Sequence, residues 1–317
     1  MCGMGYLKLL KEDEMGVAHI LKKIIGWPKI KKFLILKKHK QVAAYCDTLI
    51  ESYYSSGCNY TLSPIKDFGS KKIIWQYWGQ GYDTHTLPEV VSICLASVEK
   101  YCDDSSYEIV RLSDNNLEDY IHLPDFVLRN KSLYRPAHFS DLLRVALLNT
   151  YGGCWLDATV LLTGKIPSRY WEYPYFVYQR DNNEAYKEYW SNSFYYYFSW
   201  DNEFQVKMLN SIFFVNRETP FIDDLYNILM SFWKRGENLP DYFLFQILFN
   251  RLLITEKGRN KCPIESDCPP HYLQQILNDD YFHCASLDDI FKLTSIHKLS
   301  YKTIDAVGKL KEILGNY

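Results

Sequence analysis

Apolar positions along the chain follow two periods, and they change over near residue 70. Residues 1 to about 66 read as helical. An apolar and basic stretch at 19–26 and a second at 29–55 are separated by Pro28, which cannot continue a helix from its N-terminal side. Beyond a loop rich in turn residues (Gly57, Pro64, Gly69) the pattern becomes alternating strands and helices. Residues 71–78 (KKIIWQYW) read as a buried first strand ending at Gly79-Gln80-Gly81. A helix follows over 88–101, a strand over 107–112 and a short helix over 114–120. Residues 137–150 form a strongly apolar helix, stopped by Tyr151-Gly152-Gly153 as a glycine cap would stop it. Short strands are expected at 154–156, 175–178 and 211–216, and helices at 220–234 and 242–252. Residues 262–270 read as a loop, and 295–302 (SIHKLSYK) precede a charged C-terminal helix. Such alternation predicts an α/β fold, a sheet with helices on both faces. It divides the chain into a helical segment, 1–66, and an α/β domain, 67–317.

Composition adds limits. A net charge of −2 argues against a general nucleic-acid binder, which needs a basic surface to neutralise phosphates. No run of about 18 apolar residues predicts a transmembrane helix, and the first ten residues are too short and too broken to form a signal peptide. Nine cysteines at irregular spacing, with no CxxC pair, fit reduced thiols and fit no zinc pattern. Together these features predict a cytoplasmic protein. Aromatic residues reach 16%, including 27 Tyr, and aromatic faces suit the recognition of bases and sugars as well as a core. Locally the charge balance differs. Lys22, Lys23, Lys29, Lys31, Lys32, Lys37, Lys38 and Lys40 lie among Leu21, Ile24, Ile25, Ile30, Phe33, Leu34 and Leu36. A basic amphipathic helix of this kind either lies on an anionic membrane surface or is the solvated face of a helix packed on the domain.

The chemistry concentrates in 139–159. Asp141 and Arg144 are one helical turn apart and share a face. Thirteen residues after Arg144, Asp157 ends a short strand that follows a glycine turn. In an α/β sheet that is the edge where ligands sit. A hard divalent cation on a diphosphate needs only one or two protein carboxylates, because phosphate and water fill the other positions. Asp157 suits that role, and Thr159 lies on the same face of an extended segment. Separately, each piece is ordinary: an Asp–Arg pair one turn apart is a common helix decoration.

The combined segment FSDLLRVALLNTYGGCWLDAT resembles the core of the capsular polysaccharide synthesis glycosyltransferases. That family is related to DXD-containing sugar transferases and, more distantly, to the glucosylating clostridial toxins. IIWQYWGQG at 73–81, DYFLFQ at 241–246 and IHKLSYK at 296–302 extend the likeness over about residues 70–305. The resemblance implies a GT-A fold and a metal-dependent hexosyltransferase. Trp78 would stack on uracil, with Gln76 and Tyr77 beside it. Asp141 and Arg144 would contact the donor sugar, and Asn210 and Ser211, read as preceding a strand, would face it. Asp241 would bind sugar or acceptor. Asp157 would open the DXD motif, which here reads Asp157-Ala158-Thr159 and so lacks the second carboxylate. A metal set of Asp157, Thr159 and His297, holding Mn²⁺ or Mg²⁺, is the expectation, with Lys298 or Lys302 on phosphate.

What the resemblance implies about reaction and partners is a hexose, galactose or glucose, moved from a UDP-sugar to a polyprenyl diphosphate-linked acceptor at the inner membrane face. The configuration would be retained by front-face transfer. No nucleic acid is involved. Two other classes stay open: a catalytically lapsed scaffold that binds nucleotide sugar, and a nucleotide-sugar hydrolase or phosphotransferase. The lack of a GxGxxG after the first strand argues against a nicotinamide dehydrogenase.

Overall fold

The computed structural model describes residues 27–216, 219–255, 262–278, 285–302 and 306–315. The stretch expected to be helical at 19–26, with Lys22 and Lys23, lies outside them.

The first described element is one 30-residue helix, α1 (Trp27–Ser56). Pro28 falls in its first turn, where a missing N–H costs nothing. The helix does not run to residue 66. Gly57 adopts φ +61°, and its N–H closes the last turn on the Tyr53 carbonyl at 3.1 Å. One face of α1 (Ile35, Val42, Cys46, Leu49, Ile50) is buried in the main core.

Five strands make the central sheet: β1 (Lys72–Tyr77), β2 (Tyr107–Leu112), β3 (Gly153–Leu156), β5 (Tyr175–Gln179) and β6 (Met208–Val215), in the order β2-β1-β3-β6-β5. β1 runs parallel to β2 and β3, and β6 is antiparallel to both its neighbours. The architecture is therefore mixed α/β with a mostly parallel sheet, as the alternating pattern predicted. Around it stand α2 (Glu89–Tyr101), α3 (Asp125–Asn130), α4 (Pro136–Tyr151), α5 (Lys187–Ser193), α6 (Pro220–Arg235), α7 (Leu244–Thr255), α8 (Tyr272–Leu277), α9 (Leu287–Leu293) and α10 (Ala306–Gly315). α1 is tied to α7 by Arg251, which donates two hydrogen bonds to Asp47 at 2.7 and 2.9 Å. It is tied to α6 by the hydroxyls of Tyr53 and Tyr54, which donate to Asp224 at 2.9 and 2.8 Å.

Two features position the site. α4 is buried along almost its whole length, including Leu142, Leu143, Val145, Ala146, Leu147 and Leu148. That explains its apolar sequence and fixes its polar members in place. At its end, Gly152 and Gly153 take φ +71° and +101° and turn the chain straight into β3. A Cβ on Gly153 would stand 2.6 Å from the Ile73 carbonyl oxygen, so β3 can lie beside β1 only with glycine there.

A second, two-stranded sheet was not foreseen. β4 (Val160–Leu162) follows three residues after β3 and pairs antiparallel with β7 (Ile296–Lys298). Three apolar residues carry no period, so β4 is invisible locally. Among the described cysteines all seven are free thiols. No helix among the described residues is long and apolar enough to cross a membrane.

Candidate functional site

At the carboxyl ends of β1 and β3, six polar side chains form one continuous network. Asn210 donates to Asp141 Oδ1 at 2.8 Å, and Arg144 donates to the same oxygen at 2.5 Å. The second arm of Arg144 reaches Asp157 Oδ1 at 3.2 Å. Lys298 donates from Nζ to Asp157 Oδ2 at 3.0 Å and to the Thr159 hydroxyl. The structure thus assembles residues from α4, β6, the β3–β4 turn and β7, which are far apart in sequence.

Each is held by the element that carries it. Asp141 and Arg144 are one turn apart on the buried helix α4. The Arg144 guanidinium is 3% exposed and lies over the rings of Trp155 and Phe245 at 5.0 and 5.7 Å. The main chain of Asp157 donates to the Ser211 carbonyl at 2.9 Å, which extends the β3–β6 ladder by one step. Trp155 Nε1 donates to Asp157 Oδ1 at 2.8 Å. The expected roles passed over Trp155, although its signal was present: residues two apart on an extended segment face the same side. Asn210 and Ser211 do not precede a strand but lie inside β6. Asn210 joins the network, while the Ser211 hydroxyl is buried without a hydrogen-bond partner.

The electrostatics separate the two carboxylates. Burial pushes Asp141 above the ordinary carboxylate range despite the Arg144 charge beside it. Burial also opposes ionisation of Asp157, but Lys298 and Arg144, helped by the Trp155 and Lys298 hydrogen bonds, outweigh it and hold Asp157 below that range. Asp157 is therefore a fixed anion between two cations.

Around this network the last two residues of β1 and the residue after it have different fates. Gln76 is wholly buried, and neither its amide nitrogen nor its amide oxygen has a hydrogen-bond partner. A buried amide left open in a native fold calls for an explanation, and a bound ligand is one. The Tyr77 hydroxyl donates to Asp114 at 2.6 Å, and Lys131 donates to the same oxygen at 2.7 Å. Trp78 is half-buried against Val91, Leu95 and Ala158, the neighbour of Asp157, and meets the edge of the Tyr301 ring at 5.3 Å. Tyr301, exposed beside Trp78, is an aromatic to which the expectations gave no role.

Three expected residues do not join. His297 is fully buried on the face of β7 opposite Lys298; its Nε2 pairs with the Thr163 hydroxyl at 2.9 Å and its ring packs on Phe291 at 5.5 Å. It is not brought to Asp157. Lys302 is exposed on the turn after Tyr301, its ammonium 5.9 Å from that ring. Asp241 is 7% exposed and accepts from the Phe243 N–H at 2.8 Å, shaping the entry to α7.

The three-donor metal set expected from the sequence therefore does not form. Two oxygen donors, Asp157 and Thr159, do come together, but the Lys298 ammonium stands between them. As placed, this set does not fit a divalent cation. Among the described residues no three His, Cys, Asp or Glu side chains cluster as metal ligands elsewhere.

The family described as "Capsular polysaccharide synthesis protein" matches residues 25–314. No curated protein matches the chain. Among solved structures the chain is similar to one described as "PaToxG Glycosyltransferase". That likeness has 12% identity and a TM-score of 0.36, and covers 90% of this chain and 98% of the other.

Proposed function

The chain belongs to the capsular polysaccharide synthesis protein family, and from that premise we propose that it is a hexosyltransferase using a nucleotide-diphosphate sugar. The carrying observation is Asp157, an anion fixed between Lys298 and Arg144 at the carboxyl edge of the parallel strands. A donor of this class presents a diphosphate, a sugar and a base. Lys298 offers an ammonium to the diphosphate. Asp157, Asp141 and Asn210 offer acceptors and an amide to sugar hydroxyls. Trp78 offers an aromatic face to a base, and the open amide of Gln76 stands at the foot of the same strand.

In the reaction the bond from the anomeric carbon to the diphosphate oxygen breaks, and a bond to the acceptor hydroxyl oxygen forms. The acceptor proton passes to the departing diphosphate oxygen, on the same face of the sugar. No other base is required, so the protein contributes alignment and charge. We assign UDP-galactose or UDP-glucose as donor and a polyprenyl diphosphate-linked sugar as acceptor, and place the reaction at the inner face of the cell membrane. Support for the surface contact comes from α1, whose exposed Lys29, Lys37, Lys38 and Lys40 surround Phe33 and Leu34, 64% and 45% exposed.

The test is release of UDP from a panel of UDP-sugars, with and without an isolated lipid-linked acceptor. Acceptor-stimulated release from one sugar supports the transferase. Fast release indifferent to acceptor would favour a hydrolase. No release by folded protein, with nucleotide still bound, would favour a lapsed scaffold.

A further inference from the structure

We propose that Lys298 is the resident cation of this site: its ammonium, seated on Asp157 and Thr159, receives the charge of the diphosphate in place of a divalent metal ion. The inference rests on the nucleotide-sugar reading and adds to it how the leaving group is neutralised.

The seat is built by strand pairing. β4 begins one residue after Thr159, and its register with β7 sets Val160 opposite Lys298, Leu161 opposite His297 and Leu162 opposite Ile296. The Leu299 N–H then donates to the Thr159 carbonyl at 2.9 Å. Lys298 is thus pinned on both sides of its own residue, and alternation along β7 sends its side chain to Asp157 while His297 turns to Thr163.

Hydrogen-bond capacity points the same way. Asp157 Oδ1 already accepts from Trp155 and Arg144, which fills its two lone pairs. Oδ2 and the Thr159 hydroxyl are the remaining oxygens, and Lys298 donates to both. An ammonium has three protons. Two are taken by these oxygens, and the third is left for an incoming phosphate oxygen on a side chain that is still 23% exposed.

Charge completes the argument. Asp141 and Asp157 supply at most two negative charges, against the cations of Arg144 and Lys298. The network holds no excess of carboxylate, and such an excess is what draws a divalent cation. Thr159, where a DXD motif would have its second carboxylate, removes that excess, and Lys298 fills the place with a charge the chain supplies itself. Lysine acts on phosphate as a point charge and needs no fixed approach geometry.

The experiment is titration calorimetry of the full chain with UDP, GDP and inorganic pyrophosphate, in chelator and again in Mn²⁺. Pyrophosphate reports on the diphosphate seat whichever base the protein prefers. Affinity should be unchanged within about twofold between the two conditions. Lys298→Met should lose at least tenfold in both, while Lys298→Arg, which keeps the charge, should retain most of it; melting curves certify that each variant is folded. Binding by the parent protein that rises tenfold or more with Mn²⁺ and vanishes in chelator would overturn the inference and leave the nucleotide-sugar reading standing. Absence of binding by all three ligands in both conditions would overturn that reading and the inference with it.

Discussion

Lys298 and Asp157 are 141 residues apart in the chain, and their side chains meet at 3.0 Å. The meeting depends on two three-residue strands, β4 and β7, that lie outside the main sheet. Asp157 stands at the carboxyl edge of the parallel strands of an α/β sheet. Lys298 belongs to a short C-terminal strand that closes over it. The site is therefore a joint between the two sheets.

Replacing Asp157 tests the centre of that joint. Asp157→Asn keeps the shape and removes the negative charge between Lys298 and Arg144. Arg144 keeps Asp141 as a partner, so the fold should survive, with a melting temperature near that of the parent. The rate of UDP release should fall by about 10²-fold or more, the scale of losing one electrostatic contact in a preorganised site. Initial rates and a thermal melt on the same sample check both parts. Comparable turnover by a folded variant would remove Asp157 from the mechanism.

Arg144 is expected to be structural as well as electrostatic. It is almost fully buried and holds two carboxylates at once. Arg144→Met leaves Asp141 buried with Asn210 as its remaining partner in the network, and removing one member of a buried pair costs about 3–5 kcal/mol. Asp141→Asn in the same chain removes the stranded charge. Urea unfolding of the two single variants and the double variant should give a coupling of more than about 1 kcal/mol, with the double variant more stable than Arg144→Met alone. Simple additivity would mean that the pair does not act as a unit.

Much of this centre was legible locally. α4 announced itself by its apolar run, the turn by its glycines, and Asp157 by standing just past a buried strand. Asp141 and Arg144 shared a face because helical spacing says so. What sequence could not say was which of the adjacent residues His297 and Lys298 faces inward. Alternation tells that they differ, and only the β4–β7 register tells which is which. The expectation placed both at the site, His297 on the metal and Lys298 or Lys302 on phosphate; the register brings Lys298 to Asp157 and turns His297 to Thr163. α1 gives a parallel case. Its lysines were plain, but whether its apolar side met a membrane or the domain was left open; Ile35, Val42, Cys46, Leu49 and Ile50 lie in the core, whereas Phe33 and Leu34 stay outside. Asp241 was matched by its neighbours in sequence, although its carboxylate shapes a turn.

Gly153 gives a stability test of the glycine turn. Its φ of +101° is one that L side chains rarely adopt, and an added methyl would clash with the Ile73 carbonyl at 2.6 Å. That clash is against backbone in the centre of the sheet and cannot be relieved by a rotamer change. Gly153→Ala should cost more than about 3 kcal/mol, since backbone strain and overpacking add. Gly69→Ala is the control: φ is +59° and nothing lies within 4 Å of the added methyl, so it should cost only about 1–2 kcal/mol. Urea midpoints for the two variants check the difference, and equal costs would show that β3 can shift away from β1.

Acid stability follows from four histidines that burial keeps neutral. Burial lowers His39, His138 and His271 from 6.5 to about 4 and His297 to about 3. Their neutral form is the folded form, so in the unfolded chain they bind protons near pH 6.5 that the folded chain refuses. Stability from these groups is complete above about pH 6.5 and is lost as pH falls from there toward 4. Around pH 5 the difference approaches four protons, a slope of roughly 5 kcal/mol per pH unit. His39→Gln keeps a side-chain acceptor for the Gln205 N–H, which His39 Nδ1 now meets at 3.3 Å, and removes one titrating group. Unfolding free energies measured by urea at several pH values between 4 and 7 should therefore show a slope shallower by about one proton in that variant. An unchanged slope would mean that His39 is not what acid unfolds.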